Sequence, residues 1–461
     1  MTIAQLTMVD RAFLAIDSAE VAAHVAVLAL FSPPPDAPPD FLRQLMIELR
    51  ASDSFAPPFN FLLGRSGPVS LAPVWQVLPD DRIDLDYHLR HSALPAPGGE
   101  RELGALISRL HARPLDPTKP LWECHLVEGL ENGRFALYFK VHHSMMDGVK
   151  GARRLTAILS SDRADRTVRP PWSEMRPERR LPPARAAPGP LAAVRTGLGA
   201  VRALASVTAE LIGEALTPTP QEVGVPFAMP PARLLNGRVG RHRRFSTQSY
   251  EFERIRAVAT AARVTVNDVF LAICAGGLRR YLDELGELPA HGLLSGAPVS
   301  VRMAGDDRSN AIAFLTIKLG TDIADPLERI TFINRSSTAA KEQLARLPHA
   351  ASDNFGLLTQ GPYVGQLLLG LAGRVRPPYH LVISNVPGPG DPRYLRGARL
   401  DELYPVSVVL HGQALNITAM STASRFNIGF IGDRDRLPHL QRLALFTGEA
   451  LTELETALGV G

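Results

Sequence analysis

The sequence predicts an α/β protein built as two lobes. The chain has 461 residues, more than one ordinary core organises. Strand-like and helix-like segments alternate on both sides of a Pro- and Arg-rich stretch. Residues 134–151, RFALYFKVHHSMMDGVKG, begin as a period-two run that delivers two adjacent histidines. The expected division is 1–160 as a first lobe carrying the histidines, 161–239 as a crossover linker with helices, and 240–461 as a second lobe.

Along the first lobe, residues 21–31 form a β-rich apolar run that stops at Ser32-Pro-Pro-Pro, and residues 39–50 have helical spacing. Residues 75–77 and 83–89 read as further strands, the second placing Asp86 and His88 on an exposed face with no role. Residues 100–111 are helical, and the strand starting at Leu121 completes a hairpin with the histidine strand. In that strand Phe135, Leu137, Phe139 and Val141 share one parity and Tyr138, Lys140 and His142 the other, so His143 and His142 point to opposite faces. Asp147-Gly148 signals a turn, and a helix is expected from Gly151.

From Ser161 to about Val239 Pro and Arg dominate, around an Ala/Leu/Val-rich segment, residues 191–216. That segment carries Arg195 and Arg202 and suits either a helix packed between lobes, the preferred reading, or a helix lying on a membrane surface. Expected strands follow at residues 245–252, 292–301, 314–319, 381–384, 407–410, 415–421 and 426–430. Expected helices cover residues 252–262, from Thr265 to 282, 326–347, 363–373 and 440–458.

With Lys+Arg 50 against Asp+Glu 46, the formal charge of +4 is too mild to argue for nucleic acid. A mean hydropathy of +0.01 suits a globular enzyme. The two cysteines, Cys124 and Cys274, lie in apolar surroundings and read as reduced core thiols. The N-terminal residues lack a basic n-region followed by an apolar stretch, and no run of 18 uncharged apolar residues occurs. A cytoplasmic protein is expected, with peripheral attachment to a membrane or lipid droplet left open.

His142-His143-Ser-Met-Met-Asp147-Gly148 fits the HHxxxDG signature of coenzyme-A-dependent acyltransferases. Flanking text narrows the resemblance: Pro114-Leu-Asp-Pro-Thr-Lys-Pro120-Leu121-Trp122-Glu123, then Val266-Asn267-Asp268-Val269, Pro298-Val-Ser300-Val-Arg302 and Ser384-Asn385-Val386-Pro387-Gly388-Pro389. Together they resemble the bacterial wax ester synthase/diacylglycerol acyltransferase family, from Leu6-Thr-Met-Val-Asp10-Arg-Ala-Phe13-Leu14 to Ala414-Leu-Asn416-Ile-Thr418. The resemblance implies lobes of chloramphenicol acetyltransferase type, with mixed sheets, flanking helices and an active-site tunnel at their interface. It implies transfer from acyl-CoA, a substrate rather than a cofactor, to diacylglycerol or a long-chain alcohol.

Acyl transfer from a thioester needs a base at the acceptor hydroxyl, a donor for the developing oxyanion and exclusion of water. Following the family, His143 is the expected base, His142 a support of local geometry, and Asp147 a structural carboxylate paired with an arginine, Arg302 being the candidate. Gly148 is expected to take a backbone conformation costly to other residues. Asn267 and Asp268 are expected caps of a helix N-terminus, and the resemblance brings them, with Asn385, near the site. Adjacent residues on opposite strand faces chelate poorly, so no metal is expected. There is no G-x-S-x-G elbow, which excludes the serine-hydrolase reading. Two alternatives stay open: a condensation-type transferase fed by a carrier protein, and a lipid-binding or lipid-droplet protein without activity.

Overall fold

The computed structural model describes residues 3–4, 6–65, 73–173, 222–300, 312–346 and 360–460. Arg302 and residues 191–216 therefore lie outside the described residues.

In chain order the first half comprises β1 (Ile3–Ala4), α1 (Met8–Ile16), β2 (His24–Ser32), α2 (Phe41–Arg50), β3 (Phe61–Arg65), β4 (Pro73–Val77), α3 (Leu85–His88), β5 (Leu89–Ala93), α4 (Glu100–Ala112), β6 (Trp122–Glu128), β7 (Phe135–His142) and α5 (Gly148–Ile158). After the crossover come β8 (Arg243–Glu251), α6 (Phe252–Ala262), α7 (Val266–Glu284), β9 (Leu294–Ser300), β10 (Ile312–Lys318), α8 (Pro326–Arg346) and α9 (residues 360–368). The chain closes with β11 (Leu381–Val386), β12 (Tyr394–Leu395), β13 (Ala398–Val406), β14 (Leu415–Ser421), β15 (Arg425–Asp433) and α10 (Leu440–Leu458).

Two six-stranded mixed sheets make the two lobes, in the orders β12-β13-β2-β7-β6-β5 and β10-β9-β11-β14-β15-β8, while β1-β4-β3 form a small third sheet. The first sheet is completed by chain from the second half: β13 pairs antiparallel with β2, Val406 opposite Ala26 and Arg399 opposite Ser32. On one face of this sheet Val25, Val27, Phe135, Phe139 and Val141 pack with α2 and α5. Its other face buries Leu28, Leu30, Ala136 and Tyr138 against α4 in the same core that holds α7 and the second sheet. The histidine strand is thus buried on both faces over its whole length.

Helix α7 is buried nearly all round, as a central helix must be. It touches α10 through two glycines: a Cβ on Gly276 would stand 2.7 Å from Ala450 Cβ, and one on Gly277 2.6 Å from Thr447 Oγ1. Both cysteines are buried free thiols, and burial pushes Cys124 up to about 12.

Four expectations need correction. Residues 83–89 are not one strand: a short helix, α3, precedes β5. There His88 is fully buried, stacked 4.2 Å from Trp122 with Nδ1 2.7 Å from the Trp122 carbonyl, while Asp86 is exposed. Residues 407–410 form no strand, and β13 just before them had no counterpart in the sequence reading. Its Asp401, Glu402 and Pro405 break the alternation, and a bulge lies between Leu400 and Glu402. Finally, α5 starts at Gly148, three residues before the expected Gly151, because Asp147 is itself the N-cap.

Candidate active site

The β6–β7 hairpin carries the two histidines to the end of the first sheet. The His142 N–H donates to the Leu121 carbonyl and the His143 N–H to the Ala23 carbonyl, both at 2.9 Å, so the ladder on each side fixes the dipeptide. Strand parity then sends the rings apart. His142 faces away from the cavity. Its Nδ1 lies 2.6 Å from Ser144 Oγ and accepts from the Ser144 N–H at 3.2 Å, leaving the proton on Nε2, 3.7 Å from Asp17 Oδ2.

His143 lines a cavity of about 1260 Å³. That exceeds the roughly 300–1,000 Å³ usual for small-molecule pockets. Its walls come from both sheets: Val27, Phe139 and Val141 of the first, Val299, Ile383 and Thr418 of the second. The imidazole lies flat on Phe13 of α1, ring centroids 3.9 Å apart and 13° from parallel. Burial lowers its pKa to about 4, against an opposing pull from the Asp147 carboxylate. Its own backbone carbonyl also favours the charged ring.

Asp147 is buried, and its Oδ1 accepts from the Lys150 N–H at 2.7 Å. Oδ2 has no hydrogen-bond partner among the described residues, Lys150 Nζ standing 3.9 Å away. Gly148 lines the cavity without a positive φ, and a Cβ there would meet nothing within 4 Å. The expected backbone role is therefore corrected: the missing side chain leaves open cavity beside His143.

Asn267 and Asp268 part company. Asn267 lines the cavity, whereas Asp268 is fully buried outside it. Asp268 closes a capping box with Thr265 and accepts from Asn334 Nδ2 at 2.9 Å and Ser337 Oγ at 2.5 Å, tying α7 to α8. Asn385 lines the cavity from β11. Five of the eight candidates thus meet there: His143, Asp147, Gly148, Asn267 and Asn385. Among the described residues no group of three His, Cys, Asp or Glu side chains could hold a metal ion.

Sequence reasoning gave no role to Phe13, although it stands in a quoted motif. It also missed the cavity-lining polar residues Tyr379, Gln360 and Gln413. No local pattern marks these; chains far apart in sequence bring them together.

The family model for the wax ester synthase/diacylglycerol acyltransferase catalytic domain matches residues 6–270, and that for the WS/DGAT C-terminal domain matches residues 308–455. The chain belongs to the wax ester synthase/diacylglycerol acyltransferase family. It is 42% identical to a Mycobacterium tuberculosis protein named as a diacylglycerol O-acyltransferase, over 98% of this chain and 97% of that one. It is 37% identical to the O-acyltransferase WSD of Acinetobacter baylyi, over 97% and 96% of the two chains. The solved wax ester synthase/diacylglycerol acyltransferase of Marinobacter aquaeolei superposes with a TM-score of 0.77 at 34% identity, covering 99% of this chain and all of that one. A condensation domain of the calcium-dependent antibiotic synthetase superposes at 0.60 with 18% identity, a likeness of fold alone, covering 99% and 96% of the two chains. Members of the wax ester synthase/diacylglycerol acyltransferase family are O-acyltransferases, and the two-lobed fold with a shared cavity is the one this chain has.

Proposed function

We propose that the protein transfers a fatty acyl group from coenzyme A to the hydroxyl of a diacylglycerol or a long-chain alcohol, with His143 as general base. The observation that carries this reading is His143 itself, a neutral imidazole laid against Phe13 on the wall of a large, mainly apolar cavity. The acceptor hydroxyl gives its proton to the imidazole as its oxygen attacks the thioester carbonyl. The tetrahedral oxyanion then collapses, the C–S bond breaks, and the imidazolium returns the proton to the departing CoA thiolate. The thioester is already activated, so no cofactor enters these steps.

Asn267, on the cavity wall at the first turn of α7, is our candidate donor to the oxyanion or orienter of the acceptor. Asp147 acts at one remove: it caps α5 and holds its carboxylate beside the imidazole, favouring the imidazolium formed midway. The apolar walls keep water from competing for the thioester. His142 positions its neighbour through the Ser144 bonds without touching substrate.

The test is CoA release from palmitoyl-CoA by purified protein, with hexadecanol or dipalmitoylglycerol as acceptor. Release should require an acceptor, and His143→Ala should lower it by about 10²–10⁴-fold with the fold intact. A folded His143→Ala protein of full activity would overturn the assignment.

The lipid partner is read from the surface. Four of the eight exposed large hydrophobic side chains among the described residues fall at the end of α9 and just beyond: Leu368, Leu369, Leu371 and Val375. Exposed Arg374 and Arg376 flank Val375 in the chain and exposed Arg238 donates to the Gly370 carbonyl, none of the three with a carboxylate partner among the described residues. Exposed apolar side chains with cations beside them fit an anionic bilayer surface. Because Leu367 and Leu368 also line the cavity, the acceptor would pass from bilayer to His143 along α9.

A further inference from the structure

An imidazole that takes a proton from a bound hydroxyl has to be held at a fixed angle, and the usual means is a third group hydrogen-bonded to its second nitrogen. His143 has no such side-chain partner. Among the described residues the carboxylates that bear on its ring, Asp147 ahead of α5 and Asp10 on α1, act through charge alone. The remaining titratable neighbour, His142, points from the opposite face of the strand. What does touch the ring is Phe13, centroids 3.9 Å apart and planes 13° from parallel. A flat contact of this kind resists rotations that tip the imidazole, and it removes water from the face it covers.

Phe13 is itself held in place. Six of the nine residues of α1 line the cavity, Phe13 among them, while Leu14 packs with Leu6, Trp75 and Leu121. A capping box closes the start of the helix: the Asp10 N–H donates to Thr7 Oγ1 at 3.1 Å and the Thr7 N–H to Asp10 Oδ2 at 2.9 Å. At the other end stands Asp17, the C-cap. Its Oδ1 accepts from the Ala23 N–H at 2.8 Å, and the Ala23 carbonyl in turn accepts from the His143 N–H at 2.9 Å. Its Oδ2 lies 3.7 Å from His142 Nε2. One residue therefore links the helix that carries Phe13 to the backbone of His143.

We propose that Phe13 is a positioning residue for His143, fixing the plane of the imidazole and keeping water from it, with Asp17 as the latch that registers α1 on the histidine strand. The inference rests on the acyl-transfer reading above and assigns the group that orients its base. Losing the flat ring should harm the chemical step more than substrate binding. Losing the cover should admit water: its oxygen attacks the thioester carbonyl, its proton passes through His143 to the departing thiolate as the C–S bond breaks, and fatty acid and CoA leave without an acceptor.

The test combines rates with a titration that needs no turnover. Initial rates are measured with palmitoyl-CoA and hexadecanol or dipalmitoylglycerol, on wild type, Phe13→Leu, Phe13→Tyr, Phe13→Ala and Asp17→Ala. In histidine-labelled protein the His143 Cε1 resonance, assigned by its loss in His143→Ala, is followed against pH by NMR. Phe13→Leu keeps apolar bulk without the flat face, and should lower kcat by about tenfold with both KM values within about twofold; Phe13→Tyr should restore most of it. Asp17→Ala should lower kcat in the same way by about threefold. In Phe13→Ala, acceptor-independent CoA release should rise by about fivefold relative to transfer. The His143 resonance, expected to titrate near 4 in wild type, should move toward the ordinary histidine value in that variant. A raised KM with unchanged kcat, wild-type behaviour of Phe13→Leu, an unmoved titration in Phe13→Ala, or losses that merely follow lowered thermal stability in Phe13→Leu would each overturn the proposal. A wild type that turns over neither acceptor overturns the acyl-transfer reading instead, and the titration alone then decides whether Phe13 shields the ring.

Discussion

Burying a histidine against an apolar ring weakens it as a base and keeps it ready as one. Desolvation holds the free His143 neutral down to about pH 4, well below the ordinary histidine value, although the Asp147 carboxylate pulls the other way. The consequence is a pH profile. Since kcat/KM reports the free enzyme, it should stay level from pH 8 to 5.5 and fall only as pH drops toward about 4, where His143 takes its proton. A half-maximal point near 6.5 would show an imidazole that solvent reaches freely. At this scale much of the site is legible in the sequence, because strand parity alone separates His143 from His142. Phe13 is not legible, because which helix face meets the imidazole depends on how α1 lies across the cavity. Gln413 is hidden for the same reason: a lone amide before a strand has no pattern that marks it.

At the level of elements, adjacent residues acquire different work from the turn they share. Val266-Asn267-Asp268 opens α7, and the helix directs the Asp268 carboxylate into the protein and the Asn267 amide to the cavity. Asp268→Ala removes a cap and leaves Ser337 and Asn334 short of an acceptor, so it should cost roughly 2–4 kcal/mol in denaturant unfolding. Asn267→Ala should change stability by less than about 0.5 kcal/mol and lower turnover instead. Equal destabilisation by both would show the dipeptide to be structural throughout. The same dependence on context explains which elements the sequence reveals. Helix α6 and strand β14 are read to the residue because their apolar patterning is unbroken from end to end. The 83–89 segment misleads because its alternation of Ile83, Leu85, Tyr87 and Leu89 fits a strand, while Asp84 caps a helical turn by accepting from the Tyr87 N–H. Strand β13 is hidden because its pairing partner β2 lies more than 350 residues earlier, from Val406 opposite Ala26 to Arg399 opposite Ser32.

For the molecule as a whole, one cavity must accept a thioester whose coenzyme stays in water and an acceptor that water does not dissolve. No single helix among the described residues is long and apolar enough to cross a membrane, and the proposed route brings the lipid acceptor in from a surface. The exposed end of α9 offers one: Leu369 is 74% and Leu371 41% exposed, neither lines the cavity, and Gly370 between them adopts φ +68 with open space around it. Replacing both leucines by serine should leave the buried core untouched and weaken binding to vesicles of phosphatidylglycerol and phosphatidylcholine by about tenfold or more in a sedimentation assay, since each leucine loses its transfer into the bilayer edge. Binding by wild type should fall as salt screens the three arginines. Activity on a short-chain alcohol dissolved in water should be unchanged in the double variant, while activity on diacylglycerol held in the same vesicles should fall with binding. Wild-type binding by the serine variant would place the lipid contact elsewhere on the molecule and detach α9 from acceptor delivery.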